Sequence, residues 1–122
     1  MDFIAKKVNK IKIKKKYNLN IMKEIIEKLN NLNIIQKNYE FEEDLPEEML
    51  KYFTKSLASE LDIDKHRWYE TSVSVWETNE GLLGVRSITN LYSEQSDYED
   101  ISWKLRFFEM EPIQTITYKI KK

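Results

Sequence analysis

The chain predicts an α+β domain: two N-terminal helices packed on a four-stranded antiparallel β-meander. Three observations lead there. From Ile21 to about Glu60 the apolar residues recur at helical spacing. From Arg67 to Ile120 the chain reads as four runs of alternating apolar and polar residues. The runs follow one another through connections that suit antiparallel pairing of sequential strands. At 122 residues one domain is the natural size. It divides into a basic arm (1–17), a helical part (18–62) and a sheet (63–122).

The arm is amphipathic and basic. Phe3, Ile4, Val8 and Ile11 keep helical spacing, whereas Ile11 and Ile13 alternate with lysine as in a strand. Asn20 is placed to cap a helix over about Ile21–Gln36. Its stripe is Ile21, Ile25, Leu29 and Leu32, widened by Met22 and Ile26. Asn30, Asn31 and Asn33 weaken its C-terminal half, because Asn competes for backbone hydrogen bonds. Asp44-Leu45-Pro46-Glu47 is a second start signal, with Asp44 as cap and Glu47 at the capping-box position. Leu45, Met49, Phe53, Leu57 and Leu61 follow at four-residue steps, so this helix is expected to reach about Glu60.

The expected strands are Arg67–Thr78, Leu82–Tyr92, Ile101–Glu111 and Ile113–Ile120. In the first, Tyr69, Val73 and Val75 form the more uniformly apolar face and are assigned to the core. That leaves Trp68 and Trp76 facing outward beside Ser72 and Ser74. Asn79-Glu80-Gly81 is a hairpin connection with glycine available for φ > 0. Gly84 marks either a bulge or a close approach.

Composition bounds the function. The chain is 41% hydrophobic and 12% aromatic, enough to build a core. With no cysteine, disulfides, thiolate metal sites and cysteine nucleophiles are excluded. No apolar run approaches the roughly 20 residues of a membrane span, and the N-terminus lacks the apolar stretch of a secretory signal. The expected location is the cytoplasm. The net charge of −1 conceals an asymmetry: residues 1–20 hold seven lysines against Asp2, whereas residues 39–50 hold six acids and no base.

No motif announces a reaction. His66 is the only histidine and has no partner for a two-histidine metal site or a Ser–His pair. Glu60, Asp62 and Asp64 alternate faintly like calcium ligands but lack the loop glycine and terminal glutamate. Glu109 and Glu111 would sit roughly 6.6–6.8 Å apart on one strand face, as any Glu-x-Glu in a strand does. No catalytic residue, metal or cofactor is therefore expected, and the chain is not expected to be an enzyme. Two binding readings remain. The surplus aromatic residues suit a protein contact through Trp68, Trp76, Arg86 and Tyr92. The arm suits phosphate contacts through Lys12, Lys14, Lys15 and Lys16, which would position a nucleic acid without reading its sequence.

Three stretches carry a family resemblance: Arg67-Trp68-Tyr69-Glu70-Thr71, Gly84-Val85-Arg86, and Phe108 to Lys119 with its Glu-Pro-x-x-Thr-x-Thr-Tyr ending. They resemble small open reading frames of phages and prophages over about half the chain. That resemblance implies a mobile-element context, in which short cysteine-free proteins include anti-CRISPR and other anti-defence inhibitors. The partner it implies is a host protein such as a CRISPR or other defence nuclease, met in the host cytoplasm through protein–protein contact. Direct nucleic-acid binding by the arm is the alternative.

Overall fold

The structure is a computed structural model that describes residues 19–92, 97–113 and 118–121. It combines a four-stranded antiparallel sheet with short helical elements, an α+β arrangement. Helix α1 spans Leu19–Asn31. Two 3₁₀ turns follow, Phe41–Asp44 and Glu47–Tyr52. The strands are β1 (Ser56–Lys65), β2 (Tyr69–Glu77), β3 (Leu82–Leu91) and β4 (Arg106–Met110). A one-turn helix α2, Tyr98–Ile101, precedes β4. The strands lie in chain order, β1-β2-β3-β4, so the meander is as expected: β2, β3 and β4 fall within the first three expected strands, and β1 is an addition.

The second expected helix is corrected. Its first half coils as 3₁₀, and the residues from Ser56 onward leave it to become β1. The spacing misled because an i, i+4 repeat keeps one face in a strand as well as in a helix. Leu45, Met49 and Phe53 are buried as the helical reading requires, whereas Leu57 and Leu61 are exposed on β1. Asp44 caps no helix. Its carboxylate accepts the backbone N–H groups of Lys37 (2.8 Å) and Asn38 (3.0 Å) and the Asn38 side-chain amide (2.7 Å).

The first helix ends where its asparagines weaken it. α1 stops at Asn31, and Asn33 adopts the left-handed region at φ 51°. Asn20 lies inside the helix rather than at its cap. Met22, Ile25 and Leu29 form its buried stripe, with Ile21 and Leu32 left exposed. Asn30 then joins helix to sheet. Its Nδ2 donates to the Phe107 carbonyl (2.8 Å) and its Oδ1 accepts the Phe107 N–H (2.9 Å). Ile34–Gln36 runs beside Trp103–Leu105, with the Leu105 N–H donating to Ile34 O (2.9 Å) and the Gln36 N–H to Trp103 O (2.8 Å). The Gln36 side chain is fully buried and fully used. Its Oε1 accepts the Ile88 N–H (2.7 Å), and its Nε2 donates to the carbonyls of Asn38 (2.9 Å) and Ile88 (3.2 Å).

The expected third strand is shorter, because Tyr98–Ile101 turns as helix. The Asp97 carboxylate caps that turn by accepting the Asp100 N–H (2.9 Å), and Ser102 ends it at φ 51°. The expected fourth strand is not formed by the residues described: Ile113 and Tyr118–Lys121 carry no strand, and residues 114–117 lie outside the description. The basic arm, residues 1–17, also lies outside it.

Cross-strand partners share a face, so the register sorts the sheet. One face carries Trp76 opposite Leu83, Ser74 opposite Val85 opposite Phe107, and Ser72 opposite Ser87. Leu83, Val85, Leu105 and Phe107 join Met22, Ile25, Leu29, Phe41, Met49 and Phe53 in one core, with Trp76 packed on it. Phe53 is its hub, edge-on to Phe41 (5.4 Å), Trp76 (5.5 Å) and Phe107 (6.0 Å). The face assignment of the first expected strand is thereby corrected. Trp76 points into the helix-side core, and Val73 and Val75 are buried on the opposite face. There Phe108 and Met110 lean across Gly84, where an added Cβ would meet both within 2.6 Å. Close approach, not a bulge, is thus what demands glycine at that position.

Candidate binding surface and cleft

Two features stand out, and both involve β1. The first is its outer edge. β1 pairs only with β2, and nine of its ten residues are exposed. The pairing is irregular: Ser56–Lys65 lies opposite Glu70–Trp76 with three register shifts. Glu60 (φ 57°) and Asp62 (φ 46°) take up the slack in the left-handed region. Leu57, Leu61 and Ile63 are exposed along the strand, Ile63 by 51%, interleaved with Glu60, Asp62 and Asp64. Bulges of this kind twist an edge away from indiscriminate pairing while leaving its side chains on display.

At the end of β1 a hairpin carries His66, Arg67 and Trp68 into β2. The His66 ring stacks on Tyr69 (4.3 Å between centroids). Its Nε2 lies 3.3 Å from Asp64 Oδ2, an ion-pair distance without hydrogen-bond alignment. Trp68 is 49% exposed, with the Arg67 guanidinium over its ring at 4.6 Å. The Trp68 carbonyl accepts the Tyr92 N–H (3.0 Å), so these two expected contact residues meet at one end of the sheet. The Tyr92 hydroxyl donates to Glu70 (2.9 Å). Loss of hydration, then that hydrogen bond, raises its pKa above the ordinary tyrosine value.

The other two expected contact residues lie elsewhere. Trp76 is in the core, and its indole N–H donates to Ser74 Oγ (2.9 Å). Arg86 is committed inside the fold, with its side chain 12% exposed. It donates to Thr71 Oγ1 (3.0 Å) and pairs with Asp62, tying β1 to β3 across β2. Lys12, Lys14, Lys15 and Lys16 lie outside the described residues, and the structure says nothing of them.

The second feature was not anticipated. On the core-side face the apolar packing of Leu83, Val85 and Phe107 gives way to Ser72, Ser74, Ser87 and Thr89. Ser72 Oγ donates to Thr89 Oγ1 (3.2 Å). This hydroxyl floor underlies a cleft of about 180 Å³, walled by Tyr39–Glu42 on one side and by Ser56, Ser59 and Glu60 of β1 on the other. Burial raises the Glu42 pKa, opposed by a backbone hydrogen bond and helped by its neighbour Glu40. The pattern Ser-x-Ser on β2 with Ser-x-Thr on β3 was legible in the sequence as a stripe of hydroxyls on two adjacent strands. The walls were not, since they come from two separate upstream segments, Tyr39–Glu42 and the start of β1.

Among the described residues no group of three His, Cys, Asp or Glu side chains could hold a metal ion, and no helix is long and apolar enough to cross a membrane. Glu111 lies beyond the end of β4, so Glu109 and Glu111 do not share a strand. No protein-family model, curated protein or solved structure matches the chain.

Proposed function

We propose that this chain is a non-catalytic binding protein of a phage or other mobile element. It inhibits a host defence or nucleic-acid-handling protein by laying its acidic edge strand against that protein's basic surface. The observation that supports this most is β1: a strand bonded on one side, displaying Leu57, Leu61 and Ile63 between carboxylates. Trp68 and Tyr92 add exposed aromatic area at one end of the same sheet, the residue type that most often anchors an interface. Charge selects the partner. Glu60, and upstream Glu40, Glu43, Glu47 and Glu48, form no ion pair among the described residues. A row of carboxylates on an exposed edge complements a surface built to hold phosphates. The mobile-element context is supported by the resemblance of Arg67–Thr71, Gly84–Arg86 and Phe108–Lys119 to phage open reading frames.

The test is plaque recovery in bacteria carrying a defined CRISPR nuclease. Expression of the chain should restore phage growth in at least one such system, and the purified chain should block target-DNA loading of that nuclease. Ile63→Lys and Trp68→Ala should abolish both effects while leaving the fold intact. Protection in no system, or protection untouched by the edge substitutions, would overturn the reading. Direct binding of duplex DNA would replace it with the arm-mediated alternative, provided the salt slope falls by about 0.9 for each of Lys12, Lys14, Lys15 and Lys16 removed.

A further inference from the structure

The cleft between β1 and the Tyr39–Glu42 segment has the chemistry of a receptor. Glu40, Glu42 and Glu60 line it from two sides, and none is paired with a lysine or arginine among the described residues. Carboxylates alone would be a solvated cluster. The floor supplies the independent observation. Ser87 is only 5% exposed, lines the cleft, and its hydroxyl forms no hydrogen bond to any described residue. That hydroxyl opens onto the cleft rather than lying sealed from water, so a ligand there can take the place of its hydration. Ser74 adds to this: its oxygen accepts from the Trp76 indole, and its own proton has no acceptor among the described residues. The rings of Tyr39 and Trp76 complete the lining.

We infer that this cleft receives a guanidinium group, the side chain of an arginine presented by the protein bound along the β1 edge. A guanidinium is planar, presents five donors in a rigid fork, sheds water more readily than an ammonium and stacks on aromatic rings. The cleft matches each property, with acceptors on both walls and the floor, aromatic rings at the side, and a volume several times the roughly 30 Å³ share of one water. The desolvation that raises the Glu42 pKa is offset when a cation arrives, because the charged carboxylate then gains an opposite charge beside it. The source of the arginine rests on the edge-docking reading, whereas the cleft's affinity for guanidinium does not.

The experiment titrates the full chain with Nα-acetyl-arginine methylamide and follows backbone and indole N–H resonances. The isosteric, uncharged citrulline derivative and the lysine derivative serve as controls. The expected result is a saturable shift of the Trp76 indole and the Ser87 amide with arginine, absent with citrulline and weaker with lysine. Glu60→Gln and Ser87→Ala should each weaken the arginine complex, and Glu42→Gln combined with Glu60→Gln by at least about tenfold, as expected for charge-assisted hydrogen bonds. Unchanged α1 and β4 resonances in each variant certify the fold. No saturation, an equal response to citrulline or lysine, or shifts confined to other regions would overturn the inference. The outcome is separable from edge docking. A cleft that ignores arginine while Ile63→Lys still abolishes inhibition fails alone, and a cleft that binds arginine while Ile63→Lys inhibits normally leaves only the edge reading overturned.

Discussion

β1 and β3 are each ten residues long and belong to one sheet, yet nine residues of β1 are exposed and six of β3 are buried. The two strands differ in pairing and in packing. β3 is flanked on both sides, by β2 and β4, and packed on both faces. β1 has one neighbour, and its ladder slips three times. Burial here follows from what packs above and below a strand. A strand bonded on one side and left outside the core keeps its side chains and its outer edge free for another molecule. That is the sense in which β3 is structural and β1 is available.

Substitutions into the core beneath β3 should produce the largest effects. Phe53→Ala and Trp76→Ala should each cost about 3–5 kcal/mol, and Leu83→Ala about 2–5 kcal/mol, in urea unfolding. Little loss from Trp76→Ala would return that ring to the surface and erase the contrast between the two strands.

Gln36→Leu separates backbone satisfaction from packing. It removes the acceptor of the Ile88 N–H in a fully buried position, so a loss of about 1–3 kcal/mol is expected despite the added apolar volume. A neutral result would mean that β3 is held by its apolar contacts alone.

On β1 the expected signs and sizes change. Glu60→Gly should stabilise the fold by up to about 1 kcal/mol, since glycine adopts a left-handed backbone without the steric cost that L-residues bear there. Leu61→Ala should fall within about 0.5 kcal/mol of the parent. A loss above 2 kcal/mol would show that β1 belongs to the core in solution.

The smallest effect concerns pH. The Glu42 pKa is raised in the folded chain, mainly by burial. A group of this kind contributes stability below its unfolded pKa and loses it as pH rises through the folded value. Glu42→Gln should therefore flatten the stability profile at and just above the ordinary carboxylate range, and thermal unfolding at pH 4–7 measures it. A profile identical to that of the parent would mean that the side chain is fully hydrated.

The sequence by itself determined the class of the fold and the punctuation of its second half. Alternation marked β2 and β3, because residues two apart along a strand share a face. The asparagine run marked the end of α1, because side-chain amides compete locally with helical hydrogen bonds. Asn79–Gly81 announced a turn, and Gly84 either a bulge or a close approach, which the Phe108 and Met110 side chains decided in favour of the approach. Tertiary structure decided the rest. Residues spaced by four satisfy helix and strand alike, and Ser56–Lys65 pairs with β2 as a strand that leaves Leu57 and Leu61 exposed. Which face of β2 met the helical segments was settled by Phe41 and Phe53 arriving from upstream to pack on Trp76. The cleft could not be read from local pattern for the same reason: its floor lies on β2 and β3, its walls on β1 and a 3₁₀ turn, and only folding brings their carboxylates and hydroxyls within reach of one ligand.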